Sequence, residues 1–174
     1  MSHFDHRLST YQGVSERDLN AGKPVEIQER DKAVVPIAVP RLYVSRVEVD
    51  NILRARHYAK QWLIGYRDVT NATNERTAIA SFLPFGGACQ PLNLFLAASA
   101  EDGAMWLACF NSLMMDYISR QAISGLHLSL TTCRQLPVLD ARSRGNTASR
   151  FVIDRVCELG VTSPVLSCLA EDLG

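Results

Sequence analysis

The chain has 174 residues, 47% of them hydrophobic, and its 18 lysines and arginines balance 18 aspartates and glutamates. That length suits one domain, or one domain with appended arms, and the apolar fraction excludes disorder throughout. Zero net charge carries no overall basic signature, so a nucleic-acid role requires local patches.

Residues 1–34 are polar and punctuated by Gly13, Gly22 and Pro24, which reads as a connector arm lying on something else. His3 and His6 flank Asp5; such a triple suits metal binding or acid–base work, but at a terminus a solvated arm is the plainer expectation. Pro36 and Pro40 exclude a helix across Val34–Val44. Ser45-Arg46-Val47-Glu48 then reads as a capping box opening a helix to about Lys60. Val49, Ile52, Leu53 and Ala59 are expected inward, with Arg54, Arg56, His57 and Lys60 on a basic face.

Trp62–Tyr66 reads as a strand, residues 67–76 as a polar loop, Thr77–Leu83 as a second strand and Pro84–Gly87 as a turn. Leu92–Ala97 is apolar and expected as a buried strand. Ser99 supplies a helix cap, with Glu101 and Asp102 where the helix dipole favours acids. One long helix is expected over Gly103–Ile123, carrying Trp106, Phe110, Leu113 and Tyr117 as a buried stripe widened by Leu107, Met114 and Ile118. Asp116 lies near that stripe, where partial exposure or pairing with Arg120 four residues on is expected. Gly125 suits a left-handed stop. Leu126, Leu128 and Leu130 alternate with His127, Ser129 and Thr131, the period of a strand. After a polar interval, Asp140–Ser149, a last helix runs from about Arg150 to Leu159, and a short tail follows Pro164.

Helices and strands alternate without strict βαβ order, so the expected class is α+β, a mixed sheet packed against a few helices. The expected organisation is an arm over 1–34, a core over 35–140 and a C-terminal helical segment over 141–174. The five cysteines, Cys89, Cys109, Cys133, Cys157 and Cys168, show no CxxC or Cys/His metal spacing. Free thiols packed as small apolar groups are expected, with no metal site. The N-terminus lacks an apolar signal core and no apolar run reaches the ~18 residues of a membrane span, so a cytoplasmic protein without a membrane partner is the expectation.

No glycine-rich phosphate loop, GxSxG or HExxH motif occurs; Gly86-Gly87 is only a pair. Nothing in the residues supports catalysis by this chain alone.

Two segments carry a resemblance. The first runs from Trp62 through Arg67-Asp68 and Asn74-Glu75-Arg76-Thr77 to Pro84. The second runs from Asn111-Ser112 through Asp116-Tyr117, Arg120-Gln121 and Gly125-Leu126-His127-Leu128 to Gln135-Leu136-Pro137. Together they resemble the C-terminal target-recognition region of bacterial adenine-specific DNA methylases. These include fused type II restriction–modification enzymes and phage-defence methylases, and the region is related to the recognition domains of type I specificity subunits. His3–Arg7 and Arg155–Leu159 also resemble flanking family segments. Ser124-Gly125 stands where the family has paired glycines, and Leu130, Thr131 and Thr132 stand where aromatic residues are frequent.

The resemblance implies a target-recognition-domain-like fold and two partners, double-stranded DNA and a methylase catalytic domain or subunit. The family's methylase domain holds an S-adenosylmethionine loop and an Asn-Pro-Pro-Tyr-type motif that grips a flipped adenine. Neither occurs here, so S-adenosylmethionine belongs to the implied parent enzyme and this chain holds no cofactor. The chain reads as a recognition module cut from, or encoded apart from, its catalytic partner.

On DNA, phosphate contacts position and base-edge contacts specify. Arg54, Arg56, Lys60, Arg142 and Arg144 are candidates for the first. Arg67, Asn71, Asn74, Arg76, Arg120 and Gln121 carry the guanidinium and amide groups that read purine edges. Arg67, Asp68, Glu75 and Arg76 equally suit pairing that fixes a loop. Because they belong to a pattern shared by enzymes reading different targets, scaffolding is at least as well supported. Ser124, Gly125 and His127 are the loop positions best suited to approach DNA or the catalytic domain. Two alternatives stand beside DNA recognition: a split methyltransferase in which His3, Asp5 or His6 contributes to the active site, and a protein-interaction module without DNA contact.

Overall fold

In the computed structural model of the chain, residues 4–32, 34–35, 37–139 and 146–174 are described. Arg142 and Arg144 lie outside these residues, as does His3. The expected α+β class holds. A short antiparallel pair, β1 (Ser9–Thr10) with β2 (Val25–Glu26), flanks helix α1 (Glu16–Asn20). Helix α2 (Arg46–Ala55) leads into strand β3 (Trp62–Arg67), followed by β4 (Ala80–Pro84) and β5 (Leu92–Phe95). Then come α3 (Ala100–Phe110), α4 (Leu113–Ala122), α5 (Leu130–Cys133), α6 (Asn146–Gly160) and α7 (Ser167–Leu173).

The main sheet has the order β4-β3-β5 and is antiparallel throughout, with Tyr66 opposite Ala80 and Asn93. Strand alternation divides the core into two layers. Trp62, Ile64 and Tyr66 face one side, where Phe82, Leu107, Phe110, Val156 and Leu169 bury them. Leu63 faces the other and packs with Val49, Leu53 and Tyr58. Gly65 carries no side chain because the Leu83 and Leu92 methyl groups fill the space; a Cβ there would lie 2.6 Å from Leu83 Cδ1.

The long helix expected over Gly103–Ile123 is two helices. Asn111 leaves the first because its amide is used elsewhere: it accepts from Ala80 N–H and donates to Ala80 C=O, both at 2.9 Å. That two-point contact occupies the outer edge of β4, which would otherwise present unpaired backbone. Ser112 then caps α4, accepting from Met115 N–H at 3.1 Å. A fresh helix start changes which residues face inward. Leu113 and Tyr117, expected in the buried stripe, are 77% and 62% exposed, while Met115, Asp116 and Ser119 are buried.

Other boundaries shift for similar local reasons. Ser45 precedes α2 but its hydroxyl makes no capping bond, and the helix ends at Ala55, leaving Ile52 and Ala59 exposed. Helix α4 ends into extended Ile123 (φ −82°, ψ 127°), not a left-handed Gly125. The strand expected at Leu126–Thr131 is reduced to one bridge, Val69 with His127. Ser129 cuts it short by capping α5, accepting from Thr132 N–H at 3.2 Å.

Residues 4–7 are not a solvated arm. Phe4 N–H donates to Ala80 C=O at 3.1 Å. Arg7, 3% exposed, pairs with the Asp5 carboxylate and donates to the carbonyls of Lys32, Val35 and Thr162. One guanidinium therefore ties residues 5–35 to the chain's C-terminal part. The tail is also structured: Leu169 and Leu173 of α7 are buried, and Asp172 Oδ2 accepts from Trp62 Nε1–H at 2.7 Å. No helix among the described residues is long and apolar enough to cross a membrane.

Candidate nucleic-acid interface

The polar loop 67–77 leaves the end of β3, and the segment 120–128 leaves the end of α4. Backbone bonds join them: Leu128 N–H donates to Asp68 C=O at 2.7 Å and Thr70 N–H to Leu126 C=O at 3.0 Å. Two stretches some fifty residues apart thus form one edge of the molecule.

Asp116 is the centre of this edge. Only 4% exposed, its Oδ1 accepts from the backbone N–H groups of Thr77 and Ala78 at 2.7 and 3.0 Å. Its Oδ2 accepts from Arg120 Nε at 2.8 Å, and Arg76 Nε lies 3.4 Å from Oδ1. Burial raises the carboxyl pKa, but the bonds from Ala78, Arg120 and Thr77 and the Arg76 charge outweigh it, holding the group below its ordinary value.

The loop arginines turn inward. Arg120 donates to the carbonyls of Ala72, at 2.7 Å, and Glu75. Arg76 donates to Asn111 C=O at 2.6 Å, and Arg67 to Arg76 C=O at 3.2 Å. Burial pushes the Arg67 guanidinium down from its ordinary value. Asn71 closes a local turn, its Oδ1 accepting from Thr73 N–H at 2.9 Å, and Asn74 donates to Thr70 Oγ1 at 3.3 Å. Of the two roles open to these residues, their present bonds are those of loop scaffolding.

What remains for a partner is the rim. Gln121, Ser124, Gly125, Leu126 and His127 are exposed, and a Cβ at Gly125 would meet open space. His127 Nδ1 lies 2.9 Å from Asp68 Oδ2. Asp68 is itself fixed, donating its N–H to Pro91 C=O at 2.9 Å. Arg54, Arg56 and Lys60 are not brought to this edge. They lie on α2 and the turn after it, with Lys60 Nζ 5.5 Å from the Trp62 ring centre at the opposite end of β3.

Sequence reasoning paired Asp116 with Arg120 but missed its two backbone donors, Asn111's hold on β4 and the Asp68–His127 contact. The i,i+4 spacing signalled the first; the others join residues more than thirty positions apart. Among the described residues no group of three His, Cys, Asp or Glu side chains is placed to hold a metal ion. No family model, curated protein or solved structure matches the chain.

Proposed function

We propose that this chain is a DNA sequence-recognition module of an adenine-specific DNA methyltransferase or restriction–modification enzyme, without catalytic motifs of its own. The observation that carries this reading is the junction of loop 67–77 with segment 120–128. The two segments that bear the family resemblance are locked together by backbone bonds and by Arg120, and they present the Gln121–His127 rim to solvent. A rigid scaffold holding an exposed polar loop is the usual construction of a binding surface.

The test is fluorescence anisotropy on duplex DNA over a salt series, with and without the methylase part. Binding that weakens linearly in log–log salt supports the reading. No salt-dependent binding in either form removes it. Methyl transfer by the chain alone would contradict the absence of catalytic motifs.

A second reading, a protein-docking role, is favoured by a different surface. Leu42, Tyr43, Val44, Val47 and Ile52 are exposed together beside α2, next to a cavity of about 390 Å³ lined also by Cys89 and Leu94. Such a face suits the methylase partner. The split-enzyme alternative gains no support: Asp5 is engaged by Arg7 and Lys32, and both His6 ring nitrogens are shielded from solvent.

A further inference from the structure

We infer that His127 is a phosphate anchor of this module, its imidazolium donating Nε2–H to a backbone phosphate of duplex DNA while Asp68 holds Nδ1–H. The inference rests on the DNA-recognition reading above.

The loop arginines are already used. Arg67, Arg76 and Arg120 each donate to a backbone carbonyl and Arg120 also to Asp116, while the Nε atoms of Arg67 and Arg76 are buried away from solvent. Gln121 and Ser124 of the rim are also exposed, but His127 is the polar rim side chain oriented by a charged neighbour, Asp68. Its side chain is 60% exposed, one ring nitrogen meets Asp68, and no described residue is hydrogen-bonded to Nε2.

The ring is also held in place. Bridge pairing with Val69 fixes the backbone, and Asp68 is pinned by Pro91 and Leu128. A carboxylate oxygen can only accept, so Nδ1 carries a proton and Nε2 is the outward atom. With Nδ1–H held by Asp68, the Nε2–H of the imidazolium is the donor left for an anion. A phosphate contact carries no sequence information, so its loss is the same on every duplex.

The charged and titratable groups on the surrounding segments do not compete. Arg67, Glu75 and Arg76 lie on the facing loop, Asp116 and Arg120 on α4, and Arg134 after α5. Asp68 is the one in contact with the ring. Burial holds the Tyr66 phenol and the Cys133 thiol above their ordinary values, so both stay uncharged.

The experiment is anisotropy of the full chain, with its methylase partner where binding requires it, on several unrelated duplexes over a salt series. One phosphate contact contributes about 0.9 to the log–log salt slope, which is roughly eightfold in affinity at 0.1 M salt. His127→Gln should lose about that much on every duplex. His127→Lys should restore affinity and slope, which a merely structural role would not do. Circular dichroism melts of both variants should match the parent.

An unchanged slope in His127→Gln would overturn the inference, as would a loss confined to particular sequences, which marks a base contact. If the parent chain binds no duplex in any form, the DNA-recognition reading itself fails, a result distinguishable from failure of the anchor alone.

Discussion

Replacing Asp116 with alanine tests the physical basis of the candidate interface. Its carboxylate accepts from two buried backbone N–H groups, Thr77 and Ala78, and from Arg120. Removing an acceptor leaves each buried N–H with a desolvation penalty of about 1–3 kcal/mol. The two arginines are partly exposed and recover water, so their loss adds little. The expected destabilisation is about 4 kcal/mol, a large share of the roughly 5–15 kcal/mol typical of a domain. Asp116→Asn keeps an oxygen for the backbone donors and should lose less than half as much.

Urea denaturation followed by tryptophan fluorescence measures this. The midpoint should fall in Asp116→Ala with the slope unchanged, because the same surface is exposed on unfolding. The pH response has a definite sign. A carboxyl held below its ordinary value of 3.8 stabilises the folded state above that value, and the contribution disappears as pH falls through the folded-state pKa. The parent should therefore lose stability below about pH 4 more steeply than Asp116→Asn. An alanine variant within about 1 kcal/mol of the parent would refute the assignment of Asp116 as the junction's acceptor.

Two further perturbations probe the first residues. Burial lowers the His6 pKa to about 4 from 6.5, with the Asp5 charge opposing and the Arg7 charge assisting. The unfolded chain therefore takes up the proton first, and stability should decline by about 1.4 kcal/mol per unit as pH falls from 6.5 towards 4. His6→Leu should flatten that limb in denaturation curves taken between pH 7 and 4.5, and an unaltered slope would show the ring is not shielded. Arg7→Met should cost about 3 kcal/mol by freeing three carbonyls and removing one of the two cations on the Asp5 carboxylate, which keeps Lys32. Limited proteolysis should then cut residues 8–35 first, and protection equal to the parent's would contradict the tie.

The legible parts of this fold were those written in local spacing. Strand β3, the caps at Ser99 and the pairing of Asp116 with Arg120 all depend on residues within a few positions of one another. The break at Asn111 was hidden because its cause is Ala80, thirty-one residues earlier. With that break unseen, Leu113 and Tyr117 continued the period of Trp106 and Phe110 and read as core. The polar loops were visible as loops, but the backbone bonds that join them link residues about sixty positions apart. Which way their arginines turn was not visible. A guanidinium satisfied by backbone carbonyls has the same sequence signature as one reaching for DNA.

In the proposed DNA-recognition role, the inward arginines shift the electrostatic demand onto the rest of the surface. Arg54, Arg56 and Lys60 form no ion pair among the described residues, and the two arginines are exposed. Lys60 lies near the start of β3 and α2 packs on the Leu63 face of the sheet, whereas Met115 of α4 and Leu128 beside the rim pack on the face of Trp62, Ile64 and Tyr66. If DNA contacts both regions, their losses combine additively because the sites share no partner. Replacing all three basic residues with alanine should then lower the log–log salt slope by about 2.7, equally on every sequence. Combining this with His127→Gln should lower it by a further 0.9. A triple variant whose slope matches the parent's would leave α2 outside any DNA contact.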